Sequence, residues 1–139
     1  MTVLLRRQQA TEATLDRFRG QPLIYGKNDC VRMAAFLLRK MGHRPQLAKA
    51  GTYSSMLGAS RALQRAGFES LPDALDALGL MRIPPAMRWM ADLVVVPGEG
   101  PFGGSLQVAL NNGRTLGWHQ DFEGAQILQP VEFLTAWRV

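Results

Sequence analysis

The apolar pattern of this chain changes period near residue 80, and that change limits the fold more than any other feature. Before it, apolar residues recur at helical spacing. Val31, Ala34, Ala35, Leu38 and Met41 follow i, i+3, i+4, i+7 steps, the signature of a helix with one buried face. After it come short β-branched runs between turn formers: "DLVVV" (92–96), "SLQVAL" (105–110) and "RTLGW" (114–118). The "NNG" between the last two is a hairpin signal. Helices first and an antiparallel sheet afterwards is an α+β pattern.

The helical half divides at its caps. Thr11 to Arg19 reads as a short helix, capped by Thr11 and ended by Gly20. Asp29 caps a second helix from Cys30 to about Met41, stopped by Gly42. A third starts after Ser54 or Ser55 and runs to about Ala66, and "LPDALDALGL" is a shorter fourth with proline at its start. In the second half "GAQIL" (124–128) and "AWRV" (136–139) are further strands, around a last helical turn from Pro130 to Leu134. With 139 residues the chain is read as one domain, 1–139, its first ten or so residues an extended arm.

Hydrophobic residues make up 47% of the chain and charged residues 19%, enough apolar content for a globular core. The single cysteine cannot form an internal disulfide or a Cys-based zinc site. With only His43 and His119 beside it, no metal site is expected. The glycine-rich "PGEGPFGG" (97–104) lacks the lysine and hydroxyl of a phosphate-cradling loop, so no nucleotide cofactor is expected. No segment is long enough to span a membrane. The opening "MTVLLRRQQATEATLDRF" puts arginines after a short apolar stretch, the reverse of a secretion signal. Synthesis in the cytoplasm is therefore expected. The net charge of +5 suits an anionic partner, but the basic residues are scattered and form no aromatic-interleaved run. Nucleic-acid binding is not expected from that order.

Cys30 opens its helix. Unpaired N–H groups and the helix dipole favour a thiolate at such a position. A catalytic thiolate also needs a base, most often histidine held by a third polar group. His43 lies past the far end of the same helix, about 18 Å of rise away, and reads as a surface loop residue. His119, in "LGWHQDF", is the only other histidine and the one candidate base. Trp118, Phe122, Phe133 and Trp137 read as packing residues of the sheet half.

The ordered set "YGKNDCVRMAAFLLRKMG", "AGFESLPDALDALG", "ADLVVV", "SLQVALNNGRTLGW" and "AWRV" resembles the NlpC/P60 branch of papain-like cysteine peptidases. It is most similar to the small phage-encoded NlpC/P60-like proteins of the DUF6950 type, over roughly residues 15–139. The resemblance implies an NlpC/P60-like fold with helices packed on a small antiparallel sheet, and Cys30 at the nucleophile position. NlpC/P60 enzymes cleave peptide bonds in peptidoglycan. Their "GDLV" strand matches Ala91 to Val94, with alanine for glycine, and their next strand opens on the catalytic histidine. Here that position is Ser105, with Gln107 in place of a glycine. Serine cannot deprotonate a thiol at neutral pH. The third polar position falls near Gly117, two residues before His119.

The resemblance implies first a degenerate enzyme, a structural component of a phage tail tip or baseplate, located in the virion and docking on hub and distal tail proteins. "PGEGPFGG" is then a candidate contact loop. It implies second an active cysteine peptidase or amidase cleaving peptidoglycan during phage entry, with Cys30 attacking and His119 as base. A third class, a basic module that binds nucleic acid or cell wall without catalysis, rests on charge alone.

Overall fold

The computed structural model describes residues 2–45, 53–98 and 104–139. Among the described residues four helices precede the sheet: α1 (Val3–Phe18), α2 (Cys30–Lys40), α3 (Met56–Arg65) and α4 (Leu71–Ala77). Six strands follow: β1 (Met81–Ile83), β2 (Leu93–Val96), β3 (Ser105–Ala109), β4 (Thr115–Gly117), β5 (Gln126–Leu128) and β6 (Thr135–Arg138). They form one sheet in the order β1-β6-β2-β3-β4-β5, and every neighbouring pair is antiparallel. The α+β architecture is the one expected from the change of period. Among the described residues no helix is long and apolar enough to cross a membrane.

Strand alternation sorts the sheet into two faces. Leu93, Val95, Leu106, Val108, Leu116 and Trp137 pack with Met33, Ala34, Leu37 and Leu38 of α2 and with Ala10 and Phe18 of α1. Val94, Val96, Ala109 and Ala136 turn the other way and form a smaller cluster with Ile83 and Phe133. The helix caps follow the sequence. Asp29, Ser55 and Ser70 each accept a backbone N–H at the start of α2, α3 and α4, the exchange that makes such residues good N-caps.

Four expectations change. The extended arm is helix: α1 begins at Val3, where the Thr2 hydroxyl accepts the Leu5 N–H. That turn shows little amphipathic pattern, and it is fastened instead by the buried Arg7, whose guanidinium meets Asp92 at 2.9 Å. Thr11, read as a cap, sits inside the helix and returns its hydroxyl to the Arg7 and Gln8 carbonyls. No helical turn forms over residues 130–134; there the Leu134 N–H goes to the Val95 carbonyl and joins the chain to the sheet. Phe122, read as packing, is 54% exposed in a turn beyond β4. β1, the short strand at the open end of the sheet, was not legible, because "MRI" is followed at once by two prolines.

The entry to β2 is held by charge. Asp92 is fully buried and its Oδ1 accepts from Arg7 and from the Val139 N–H, while Oδ2 accepts from the Trp89 N–H. Arg7 also donates to the Met90 and Val139 carbonyls. One carboxylate therefore ties α1, the start of β2 and the end of β6. Ala91, just before it, has φ 73, a left-handed conformation that suits glycine better than alanine. It is the position where the NlpC/P60-type pattern carries glycine.

Candidate functional site

The Cys30 cleft is built from the turn before α2. Ile24 and Asn28 exchange backbone hydrogen bonds, and the tight turn between them needs Gly26, at φ +85. A Cβ there would also lie 1.9 Å from the Tyr53 carbonyl oxygen. The Gly26 N–H donates to Asp29 Oδ2 at 2.7 Å, the Tyr53 hydroxyl donates to the same oxygen at 2.8 Å, and Oδ1 caps Arg32. The buried Asp29 carboxylate is thus engaged on both oxygens. It fastens the Tyr25 turn and Tyr53 to the first turn of α2.

Cys30 follows, half-buried at the start of that helix. Its sulfur meets the Leu106 N–H of β3 and N–H groups of its own turn. β3 can offer that group because its pairing with β4 covers only Val108↔Leu116 and Ala109↔Thr115. The two strands part before Leu106, and the start of α2 lies against the gap. Burial, and then the negative charge of Asp29, push the Cys30 thiol up to about 12, against the opposing pull of the three N–H groups. At neutral pH it is a neutral thiol. Burial raises the Tyr53 hydroxyl as well, with Asp29 adding to it. Tyr25 is raised too, by burial first and then by Cys30 and Asp29.

Ser105 opens β3 and lines the same cleft as Cys30. Its hydroxyl accepts from Gln107 Nε2 at 3.1 Å, and Gln107 Oε1 accepts the Thr115 hydroxyl at 2.6 Å. Gln107 is buried, and the chain has made room for it: a Cβ on Gly117 would lie 2.6 Å from Gln107 Cγ. The sheet therefore holds a fixed line Thr115–Gln107–Ser105 that ends at the cleft.

The cleft itself has a volume of about 510 Å³, and Cys30, Ser105, Gln107 and His119 all line it, between walls that include Tyr25, Tyr53 and Trp118. The fold thus brings the three sequence candidates, Cys30, Ser105 and His119, to one place. His43 is at the other end of α2, where its N–H caps the Leu38 carbonyl. Of the candidate loop at 97–104, Pro97, Gly98 and Gly104 line the cleft; residues 99–103 lie outside the described residues.

The histidine is not arranged as a base for Cys30. His119 Nδ1 accepts the Asp121 N–H at 3.1 Å and lies 3.5 Å from Asp121 Oδ2. A neutral imidazole that accepts through Nδ1 carries its proton on Nε2. It then has no free lone pair for a thiol proton. Three contributors to the cleft escaped sequence reasoning. Tyr53 follows a segment read only as a connection. Gln107 was noticed only as the replacement of a glycine. Trp118 was read as packing; its Nε1–H donates to the Gln21 carbonyl at 2.8 Å and its ring meets Phe18 edge-on at 6.2 Å. Among the described residues no three His, Cys, Asp or Glu side chains are grouped to hold a metal ion.

Residues 4–139 match the family model described as a domain of unknown function, DUF6950, and the chain belongs to that family. Comparison with curated proteins and with solved structures gave no match.

Proposed function

We propose that this DUF6950 protein has a degenerate NlpC/P60-like, papain-like fold and serves as a structural component of a phage tail tip or baseplate, docking on tail-hub proteins. The observation that carries the loss of catalysis is the surroundings of Cys30. A helix-opening cysteine faces the first residues of a strand across a cleft, as a nucleophile would. The strand presents Ser105 there, and the thiol is held protonated. Ser105 is already engaged by Gln107, so the cleft has kept its shape and lost its base. The tail-tip setting is the part the family resemblance supplies, and the net charge of +5 agrees with docking on acidic surfaces.

The test is composition. Mass spectrometry of purified particles of the encoding phage should find the chain, and gold-labelled antibody should mark the tail tip. Absence from particles overturns the structural role.

A second reading, a cysteine hydrolase acting on peptidoglycan, is favoured by one observation: His119 lines the same cleft as Cys30. It requires His119 to leave Asp121 and turn its freed Nδ1 to the sulfur. Release of peptides from purified peptidoglycan by the wild type, lost in both Cys30→Ala and His119→Ala, would establish it in place of the first.

A further inference from the structure

Basic residues that are scattered along the sequence are gathered by the fold on the outer side of α1 and α2. Arg6 and Arg17 are three turns apart on α1, which puts them on one flank, separated by about 16 Å of rise. The acidic residues of that helix are turned away from Arg6, Glu12 by about 120° and Asp16 by about 80°. Arg6 reaches across to α2, where a Cβ on Gly42 would sit 4.0 Å from its guanidinium. At the far end of α1 Arg17 lies over the Phe18 ring at 4.6 Å; Phe18 meets Phe36 edge-on at 5.6 Å, and Lys40, near the Gly42 end of α2, lies over Phe36 at 5.3 Å. Arg39 precedes Lys40 in the last turn of α2, about 100° around the helix from it. All four cations are exposed. None has a carboxylate within salt-bridge distance among the described residues.

We propose that this α1–α2 face is a binding surface for the phosphate backbone of duplex DNA, read without regard to sequence. It goes beyond the structural role and does not depend on it. It also departs from what the linear order of basic residues implied. Arg39, Lys40 and Arg17 sit in last helical turns, where a cation suits the dipole. Arg6 does not: it lies near the start of α1, where a cation is disfavoured and no acidic residue offsets it. Its position calls for an anion from outside the helix.

The chemistry of the face selects among anions. A protein interface draws its affinity from exposed apolar and aromatic anchors; between Arg6 and Arg17 the α1 flank carries only Ala10, itself buried in the core, and the half-buried Ala13, while the exposed Val3, Leu4 and Leu5 precede Arg6. Single-stranded nucleic acid is held by open aromatic platforms. Here Phe18 is 2% exposed and cations cover both rings. What remains is a row of three guanidinium groups and one ammonium, which fits phosphate oxygens. A duplex carries one charge per roughly 1.7 Å of axis, so such a row meets phosphates in any register.

The experiment is fluorescence anisotropy of a fluorescein-labelled 24-base-pair duplex with the full chain, across a salt series. Four phosphate contacts predict a slope of log affinity on log salt of about −3.6. The combined variant Arg6→Gln, Arg17→Gln, Arg39→Gln, Lys40→Gln should flatten that slope to below about 1 in magnitude and weaken binding at least about tenfold at low salt. A control with the same net charge, Lys27→Gln, Arg44→Gln, Arg61→Gln, Arg114→Gln, should lose less than about threefold. No binding by the wild type overturns the proposal, and so do equal losses in the two variants, which would mean bulk charge alone. Tighter binding of poly-L-glutamate than of the duplex, abolished by the first variant, would assign the face to an acidic protein and overturn it as well.

Discussion

Gln107 Nε2 donates to Ser105 Oγ at 3.1 Å, two positions along the same strand, and so occupies the hydroxyl that faces the Cys30 cleft. The amide is in turn held by Thr115. A histidine at residue 105 gains this partner when the Gln107 amide turns over, offering Oε1 to its Nδ1–H while Nε2 donates to the Thr115 hydroxyl. Ser105→His should therefore produce a cysteine–histidine pair. Alkylation of Cys30 by iodoacetamide at pH 8 should speed up at least about tenfold, as a histidine partner lowers the thiol pKa. Ser105→Ala should leave it slow. No acceleration with histidine would mean that residue 105 does not face the sulfur.

The protonated thiol gives a pH dependence of stability. The folded value is raised from 9.0 to about 12, so between those limits the unfolded chain has released the proton and the folded chain has not. Stability linked to Cys30 is intact below about pH 9 and declines by about 1.4 kcal/mol per pH unit above it. Urea titrations at pH 8, 9 and 10 should show the wild type losing stability relative to Cys30→Ala as pH rises. Tyr25 and Tyr53 are common to both proteins, so their titration largely cancels in the comparison. A constant difference between the two would show that the thiol ionises equally in both states.

The Asp92 carboxylate should be the most sensitive polar group of the core. Asp92→Ala leaves the Arg7 cation buried without its carboxylate and frees the Trp89 and Val139 N–H groups. A loss of about 3–5 kcal/mol is expected, read from urea midpoints at pH 7. Arg7→Met should cost less, because Asp92 keeps both N–H donors and an Arg138 guanidinium at 3.4 Å. The reverse order would locate the weight of the cluster in Arg7.

Gly117→Ala drives a methyl group to 2.6 Å from the Gln107 side chain. Overpacking of this kind costs about 1–3 kcal/mol. Gln107→Ala removes the obstacle, so in the double variant the glycine substitution should be almost free. A double-mutant cycle that closes additively would show that the clash is relieved elsewhere.

The elements that announce themselves in the sequence are those with a local cause. Asp29 and Ser55 mark helix starts because each caps its own turn. "DLVVV" and "SLQVAL" mark strands because β-branched runs lie between turn formers. Cys30 was visible as a helix-opening thiol, and the family resemblance implied Ser105 opposite it; the two line one cleft. The first turns of α1 were missed because their anchor, Asp92, is 85 residues from Arg7. Tyr53 was missed for the same kind of reason, since its hydroxyl partner Asp29 is 24 residues away. The alignment of "SLQVAL" placed the third polar group near Gly117. In the structure Gly117 instead makes room for the side chain of Gln107, which lies on β3.

The strand order has a consequence for biosynthesis. β6 lies between β1 and β2, so those two strands are joined only through a segment made after both of them. On a translating ribosome β2, β3 and β4 can zip together as successive neighbours. β1 must wait as a loose flap until residues 135–138 emerge and slide into the gap. A nascent chain stalled before Thr135 would thus present two unpaired strand edges at once, one on β2 and one on β1. Its exposure to chaperones or to aggregation would end abruptly with the last few codons that encode β6.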